Sequence, residues 1–315
     1  MSLLEVKDLK VSYRTRRGRL EALGGVSLSV EEGEVMGIVG ESGSGKSTLG
    51  LTVIRLLPGN AVVEGGSVHF NGMDLLKMRE EELRRIRGRV ISMVFQDPYA
   101  SLNPVMRIGE HFVELFTEHG AAGSEEEALR EAGEILERMG VPRERLSDYP
   151  HQLSGGQRQR VAIGLALALK PRLVIADEIT TALDALVEAQ IVELLKEVKS
   201  SFKTSMLFIT HNMGLVAELA DRVAVMYAGK VVESGRVDEV VREPLHPYTR
   251  ALLSSVPRVG GSKDIKPIPG EPPDMHCPPP GCRFHPRCPF ASERCRREEP
   301  AVKSLGDRYV ACHLW

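Results

Sequence analysis

The chain has 315 residues, a length that suits about two domains. Apolar residues make up 42% and charged residues 27%, which excludes a disordered or collagen-like class and suits a soluble globular protein. A net charge of −2 gives no global field that would favour nucleic acid or an anionic membrane. The apolar run Val161 to Leu169 is too short to span a bilayer. The N-terminus lacks a secretory pattern, so the expectation is a cytoplasmic protein whose membrane role comes through a partner.

In chain order, Leu4 to Leu9 alternates as a half-buried strand would, and Tyr13 follows it. Arg14 to Gly18 reads as a basic, solvated turn. Ala22 to Val30 reads as a second strand, and 31–34 as a turn. Val35 to Val39 is a short apolar run, expected to be a buried strand, and Leu49 to Leu57 is expected to be helical. Between them lies Gly40-Glu41-Ser42-Gly43-Ser44-Gly45-Lys46-Ser47, which fits G-x-x-x-x-G-K-S/T at every fixed position. Its glycines let backbone N–H groups curl around an anion, and the helix N-terminus adds its positive end. Lys46 is expected to reach the β- and γ-phosphates and the Ser47 hydroxyl to bind Mg²⁺, with Thr48 beside them.

Val62 to Phe70 followed by Asn71-Gly72 reads as a strand and turn. Residues 107–170 read as helical. Ser124 with Glu127 forms a capping box, Leu129, Ala132, Leu136 and Met139 share one face, and Gly140 ends the helix. Leu173 to Ala176 and Met206 to Ile209 read as buried parallel strands, ending at Asp177-Glu178 and Thr210-His211. Val223 to Tyr227 and Val231-Val232 flank Ala228-Gly229 as a hairpin. Early antiparallel strands before a parallel βα core indicate a mixed α/β domain. From Pro244 the composition changes and prolines crowd between 267 and 289, which places a boundary near 245.

All five cysteines lie between 277 and 312. Disulfides are disfavoured in a cytoplasmic chain, and clustered intracellular cysteines more often bind metal. Cys282, Cys288, Cys295 and Cys312 lack the tight C-x₂-C spacing usual for structural zinc.

Leu153-Ser154-Gly155-Gly156-Gln157, with a helix behind it, offers a second anion site made of hydroxyl, backbone N–H and helix dipole. Together with the first loop it resembles the ATP-binding cassette of ABC transporters, and the resemblance covers essentially the whole chain. It implies an α/β P-loop ABC cassette at 1–245. That cassette would have a mixed sheet core, an antiparallel β subdomain and a helical signature subdomain at about 107–170. A small Cys-rich extension would occupy 246–315.

The same resemblance implies roles. Asp177 helps hold Mg²⁺ through its water shell, and Glu178 is the general base for the attacking water. Gln96 is the glutamine of the loop that ligates Mg²⁺ and reports nucleotide state, and His211 contacts the γ-phosphate. Ala182-Leu183-Asp184 crosses the dimer interface. Tyr13 stacks on adenine, with ordinary strand packing as its alternative. Gly40, Ser42, Gly43, Ser44, Gly45, Lys46, Ser47 and Thr48 bind nucleotide, and each signature meets the ATP of the partner cassette. Ile179 stands where the family usually has proline, which would fix φ and remove a donor. The run Ala185-Leu186-Val187 also departs from the commonest family text.

Gln96-Asp97-Pro98-Tyr99-Ala100-Ser101-Leu102-Asn103-Pro104, His246-Pro247-Tyr248, Pro267-Ile268-Pro269-Gly270 and Gly281-Cys282-Arg283-Phe284-His285-Pro286-Arg287-Cys288-Pro289 resemble the dipeptide/oligopeptide (and nickel) importer ATPases. That subfamily implies an ATPase subunit at the cytoplasmic face of the cell membrane. Its partners would be a second cassette (a copy or a paralogue), two transmembrane permeases and an extracytoplasmic binding protein, with no nucleic acid. Expected cofactors are ATP, Mg²⁺ and a four-iron, four-sulfur cluster on Cys282, Cys288, Cys295 and Cys312, with zinc as alternative ligand and free thiols as a third reading. Cys277 is left out of the set. Oligosaccharide or nickel cargo is the alternative to peptide. A soluble ABC ATPase of DNA repair or translation is more remote, because only about 110 residues separate the loop from the signature and no heptads are sustained. Arg283, Arg287, Arg294, Arg296 and Arg297 are interleaved with Glu293, Glu298 and Glu299, a weak footprint for nucleic acid.

Overall fold

The computed structural model describes residues 2–97, 101–181, 183–202, 204–255 and 268–315. Pro98, Tyr99, Ala100, Ala182 and Pro267, which belong to the motifs above, lie outside the described residues. Two compact units are present, one formed by 1–77 with 208–315, the other by 78–207.

The first unit opens with two long antiparallel strands, β1 (Ser2–Thr15) and β2 (Gly18–Glu31). The pairing runs to the hairpin itself, Thr15 opposite Gly18, so β2 begins four residues before the strand expected at Ala22. The buried strand β3 (Val35–Val39) then leads through the glycine loop into α1 (Lys46–Val53). This helix starts directly after Gly45 and stops before Arg55, whose φ of 51° is left-handed. Strands β4 (Ala61–Phe70) and β5 (Met73–Asp74) complete a sheet of order β2-β1-β4-β5.

The second unit carries α2 (Glu80–Ile86), β6 (Ile91–Val94), α3 (Ile108–Glu118), α4 (Glu125–Arg138), α5 (Gly155–Leu167), β7 (Leu173–Asp177) and α6 (Ala185–Phe202). Strands β6 and β7 pair in parallel from Ile91 opposite Leu173 to Val94 opposite Ala176. All five residues of β7 are buried, which is what an apolar run with no polar alternation requires. The helical part has its own core of Ile108, Phe112, Phe116, Ala128, Ala132, Leu136, Val141, Leu153 and Val161. Burying each large side chain contributes roughly 1.5–3 kcal/mol. Ser124 Oγ accepts from the Glu127 N–H (3.2 Å), and Gly140 adopts a φ of 70° past the end of α4. The expected N-cap and stop are therefore both present, but the box is only half closed, because Glu127 Oε2 accepts the Gly123 N–H (2.7 Å) and not that of Ser124.

Strand β8 (Ser205–Thr210) is wholly buried and returns the chain to the first unit. There α7 (Met213–Leu219), β9 (Arg222–Tyr227) and β10 (Lys230–Arg236) follow. Strand β9 lies parallel to β3, and β9 and β10 turn at Ala228-Gly229, both with positive φ. Helices α8 (Val237–Arg242) and α9 (Pro247–Ser254) precede the tail, which holds α10 (Glu293–Arg297) and the hairpin β11 (Val302–Leu305) and β12 (Arg308–Ala311). Strand β12 adds antiparallel to β10, with Glu233 opposite Val310. The tail's apolar core is small, made of Leu245, Val310 and Cys312.

Among the described residues no helix is long and apolar enough to cross a membrane.

Candidate functional site: two anion-binding loops

The phosphate-type loop belongs to the first unit. Gly43 and Gly45 take φ of 78° and 98°, values at which a Cβ would be strained. A Cβ on Gly40 would overlap the carbonyl oxygen of Met226. The backbone therefore closes into a cradle that glycine alone permits at these points. Lys46 is 4% exposed, and its Nζ donates to the carbonyl oxygens of Gly40 (2.8 Å) and Glu41 (3.1 Å). Ser44 Oγ is buried and has no hydrogen-bond partner among the described residues. A buried hydroxyl without a partner is costly, and a phosphate oxygen would satisfy it. The cradle and this hydroxyl fit a bound polyphosphate with its magnesium. Tyr13 Oη and Thr48 Oγ1 share a hydrogen bond of 3.0 Å, which ties the expected adenine-stacking ring to the first turn of α1. His211 is exposed at the end of β8, and Asn212 after it caps α7 by accepting from the Gly214 N–H (2.9 Å).

The second unit carries the other groups. Asp177 is buried at the end of β7. Glu178 follows with a φ of 46°, a left-handed conformation that costs a non-glycine residue about 1–2 kcal/mol. Such strain fits a side chain held for chemistry. Gln96 Nε2 donates to Glu178 Oε2 (3.1 Å), and Thr181 Oγ1 donates to the same oxygen (3.3 Å). The two residues expected to serve the attacking water and the metal are thus brought into contact. Ile179 is 2% exposed, so the residue in proline's place acts as a core side chain.

Ser154 is the N-cap of α5. Its Oγ accepts from the Gln157 N–H (3.3 Å), and Gln157 Oε1 accepts from the Ser154 N–H (3.2 Å). The signature is therefore a capping box. Ser154 and Gly155 are exposed, while Leu153 is buried in the helical core. Arg158, 2% exposed, donates from Nε to the Pro150 carbonyl (2.9 Å) and from Nη2 to the Leu153 carbonyl (2.8 Å), fixing the loop from beneath. Asp184 Oδ1 accepts from the N–H groups of Leu186 (3.1 Å) and Val187 (3.0 Å), so this residue of the expected dimer loop also starts α6. Leu183 is half-buried beside it, and Ala182 is not described.

Sequence reasoning missed two arrangements. Arg158 carried no signal beyond its place after the signature. The motif His246-Pro247-Tyr248 was noticed only as family text, and the structure gives its physical content. His246 caps α9 by accepting the Tyr248 N–H at Nδ1 (3.0 Å), and Pro247 sits in the first turn. Burial, with Arg250 nearby, holds the His246 imidazole down to about 3. Buried Glu233 accepts the N–H groups of Leu245 and His246 (2.9 Å each) and pairs with Arg308 (2.9 Å).

Among the described residues none of the tail cysteines is in a disulfide. Burial, above all, pushes the Cys282 thiol up to about 11 and moves Cys288 and Cys312 in the same direction. Among the described residues no group of three or more His, Cys, Asp or Glu is arranged to hold a metal ion. The iron–sulfur or zinc site expected on Cys282, Cys288, Cys295 and Cys312 is therefore not assembled in this geometry. Cys295 Sγ lies 3.4 Å from Ser292 Oγ.

Comparison with known proteins places this geometry. The ABC transporter family profile matches residues 23–181, and the oligopeptide/dipeptide transporter C-terminal region matches 232–295. The chain is 46% identical over 316 residues to the dipeptide transport ATP-binding protein DppD of Caldanaerobacter subterraneus subsp. tengcongensis, covering 99% of this chain and 97% of that protein. It is 45% identical to the oligopeptide transport ATP-binding protein OppD of Bacillus subtilis, covering 98% of this chain and 87% of that one. Among solved structures, the dimeric post-hydrolysis state of the ATP-binding cassette MJ0796 bound to ADP and Pi matches with a TM-score of 0.67 at 30% identity. That match covers 74% of this chain and 98% of that one. The two matched regions, the near full-length relatives and the two loops agree: this chain belongs to the ABC transporter ATPases, in their dipeptide/oligopeptide branch.

Proposed function

We propose that this chain powers uptake of dipeptides or oligopeptides by hydrolysing ATP at an interface between two cassettes. The observation that carries the reading is the joint presence of a closed phosphate cradle with an unsatisfied Ser44 hydroxyl and the His246-Pro247-Tyr248 tail. The chain would act at the cytoplasmic face of the membrane, bound to two permeases fed by an extracytoplasmic binding protein. Its cassette partner would be a copy or a paralogue.

In this reading backbone N–H groups of the loop and Lys46 bind the phosphates. Ser47, Gln96 and Asp177 would hold Mg²⁺, directly or through its waters, and a bound ion would supply positive charge beside the phosphates. Glu178 takes the proton of the attacking water, with Gln96 and Thr181 fixing the carboxylate that receives it. His211 orients the γ-phosphate. Ser154 and the N–H groups that open α5 meet the ATP held by the opposite cassette, with Leu183 and Asp184 beside them.

ATP turnover of the complex reconstituted with permeases and binding protein tests the cargo. A peptide mixture should stimulate it. Intact basal turnover without stimulation would move the cargo to oligosaccharide or nickel.

The four tail thiols are the candidate ligands of a four-iron, four-sulfur cluster. Their clustering in a proline-rich tail with a small apolar core supports this, because a metal staple would supply folding energy there. Iron and sulfide content after oxygen-free purification decides the matter. Zinc alone would select the zinc reading, and neither metal would leave free thiols.

A further inference from the structure

The tail touches the phosphate loop through Arg287, and a second tail arginine, Arg283, reaches the Ala228 turn beside the loop. Arg287, 7% exposed and next to Cys288, makes a two-pronged pair with Glu41, the second residue of the loop: Nη1 to Oε2 at 2.7 Å and Nη2 to Oε1 at 3.0 Å. Its Nε donates to the Pro269 carbonyl (2.8 Å), and Nη1 reaches Tyr227 Oη (3.4 Å). Arg283, next to Cys282, donates to the Ala228 carbonyl and pairs with Glu21. The adjoining Gly229 N–H donates to the Ser44 carbonyl (2.9 Å).

Glu41 is held at every polar group. Its N–H donates to Tyr248 Oη (2.9 Å), its carboxylate takes Arg287, and its carbonyl accepts Lys46 Nζ (3.1 Å) and the Ser44 N–H (3.2 Å). Tyr248 and Tyr227 pack together (ring centroids 4.6 Å apart), and both pack on Phe284 of the tail. Lys46 Nζ donates within the loop, to the Gly40 and Glu41 carbonyls. Arg287 and Tyr248 hold the loop from residues outside it, at the Glu41 carboxylate and N–H.

We propose that Arg287 is a positioning residue of the nucleotide site, so that the C-terminal extension sets the shape of the phosphate loop and with it the affinity for ATP. The proposal rests on Gly40 to Ser47 being that loop. A two-pronged charged pair is the strongest hydrogen-bonded arrangement available here, and lysine cannot reproduce its fork.

The test measures MgATP affinity of the purified full chain by calorimetry, and KM and kcat in the reconstituted complex. Arg287→Met should weaken ATP binding about three- to tenfold, with the loss in KM rather than kcat. Arg287→Lys should recover part of it. Glu41→Gln should weaken binding similarly, and the double variant should be no worse than Arg287→Met alone, because both act through one contact. Should Arg287→Met fail to fold, Glu41→Gln and Arg287→Lys carry the test. Wild-type ATP affinity in folded variants, with only the melting temperature lowered, overturns the proposal. So does a loss confined to kcat. Lys46→Ala separates the underlying reading: normal ATP affinity in that variant would remove the phosphate loop, and the proposal with it.

Discussion

The two anion-binding loops of this chain are built in opposite ways. The signature holds itself together over a few residues: Ser154 and Gln157 cap one another, and Arg158 ties down carbonyls only five and eight positions back. The phosphate loop is held by residues far along the chain, among them Tyr248 and Arg287. The signature loop is exposed at Ser154 and Gly155, whereas the phosphate loop buries Ser44 and Lys46. A loop that must meet another subunit can be local and open. A loop that must wrap a highly charged ligand needs walls, and walls come from tertiary contacts.

That contrast can be broken first at Glu178, the proposed catalytic carboxylate. Glu178→Gln should keep ATP binding, lower turnover about 10²- to 10⁴-fold and trap a closed dimer, seen by size-exclusion chromatography with ATP. A normal turnover rate would remove the general-base role from Glu178.

The signature offers the next effect. Ser154→Ala should cost about 1 kcal/mol of stability through the lost cap, read by chemical denaturation. Turnover of the paired cassettes should fall while ATP affinity of the single chain stays. If affinity of the single chain fell instead, the signature would be serving its own nucleotide rather than a partner's.

At neutral pH the smallest effect concerns the tail anchor, whose contribution grows only as the pH falls. His246 is neutral in the folded chain, its pKa held near 3 against an ordinary 6.5. The unfolded chain therefore binds a proton that the folded chain refuses as the pH falls below about 6.5. Stability drops across that window, by up to about 1.4 kcal/mol per pH unit from this group. His246→Asn keeps a capping oxygen and should flatten the slope. Equal slopes in both proteins would show that the acid loss arises elsewhere.

Much of the fold was legible because periodicity and capping are local. Ser124 with Glu127, the stop at Gly140, the buried runs at β3, β7 and β8, and the hairpin at Ala228-Gly229 all follow from near neighbours. Two limits moved for tertiary reasons. Pairing with β1 carried β2 back to Gly18, and the glycine cradle started α1 at Lys46 rather than Leu49. The motifs for both loops, Asp177-Glu178 and Gln96 could be read because each needs a particular residue at a particular place. The left-handed backbone of Glu178 and the Gln96 contact upon it could not, since they depend on segments 82 positions apart.

By itself the sequence determined the chemistry: a phosphate-binding loop, a signature, the acidic pair and a tail of clustered thiols, all written in short spacings. The tertiary structure alone decided how that chemistry is held. Glu41 meets Arg287 across 246 positions, and Glu233 reaches Arg308 across 75. Such pairs leave no periodic trace, because a charge pair needs one residue on each side and any distance along the chain between them.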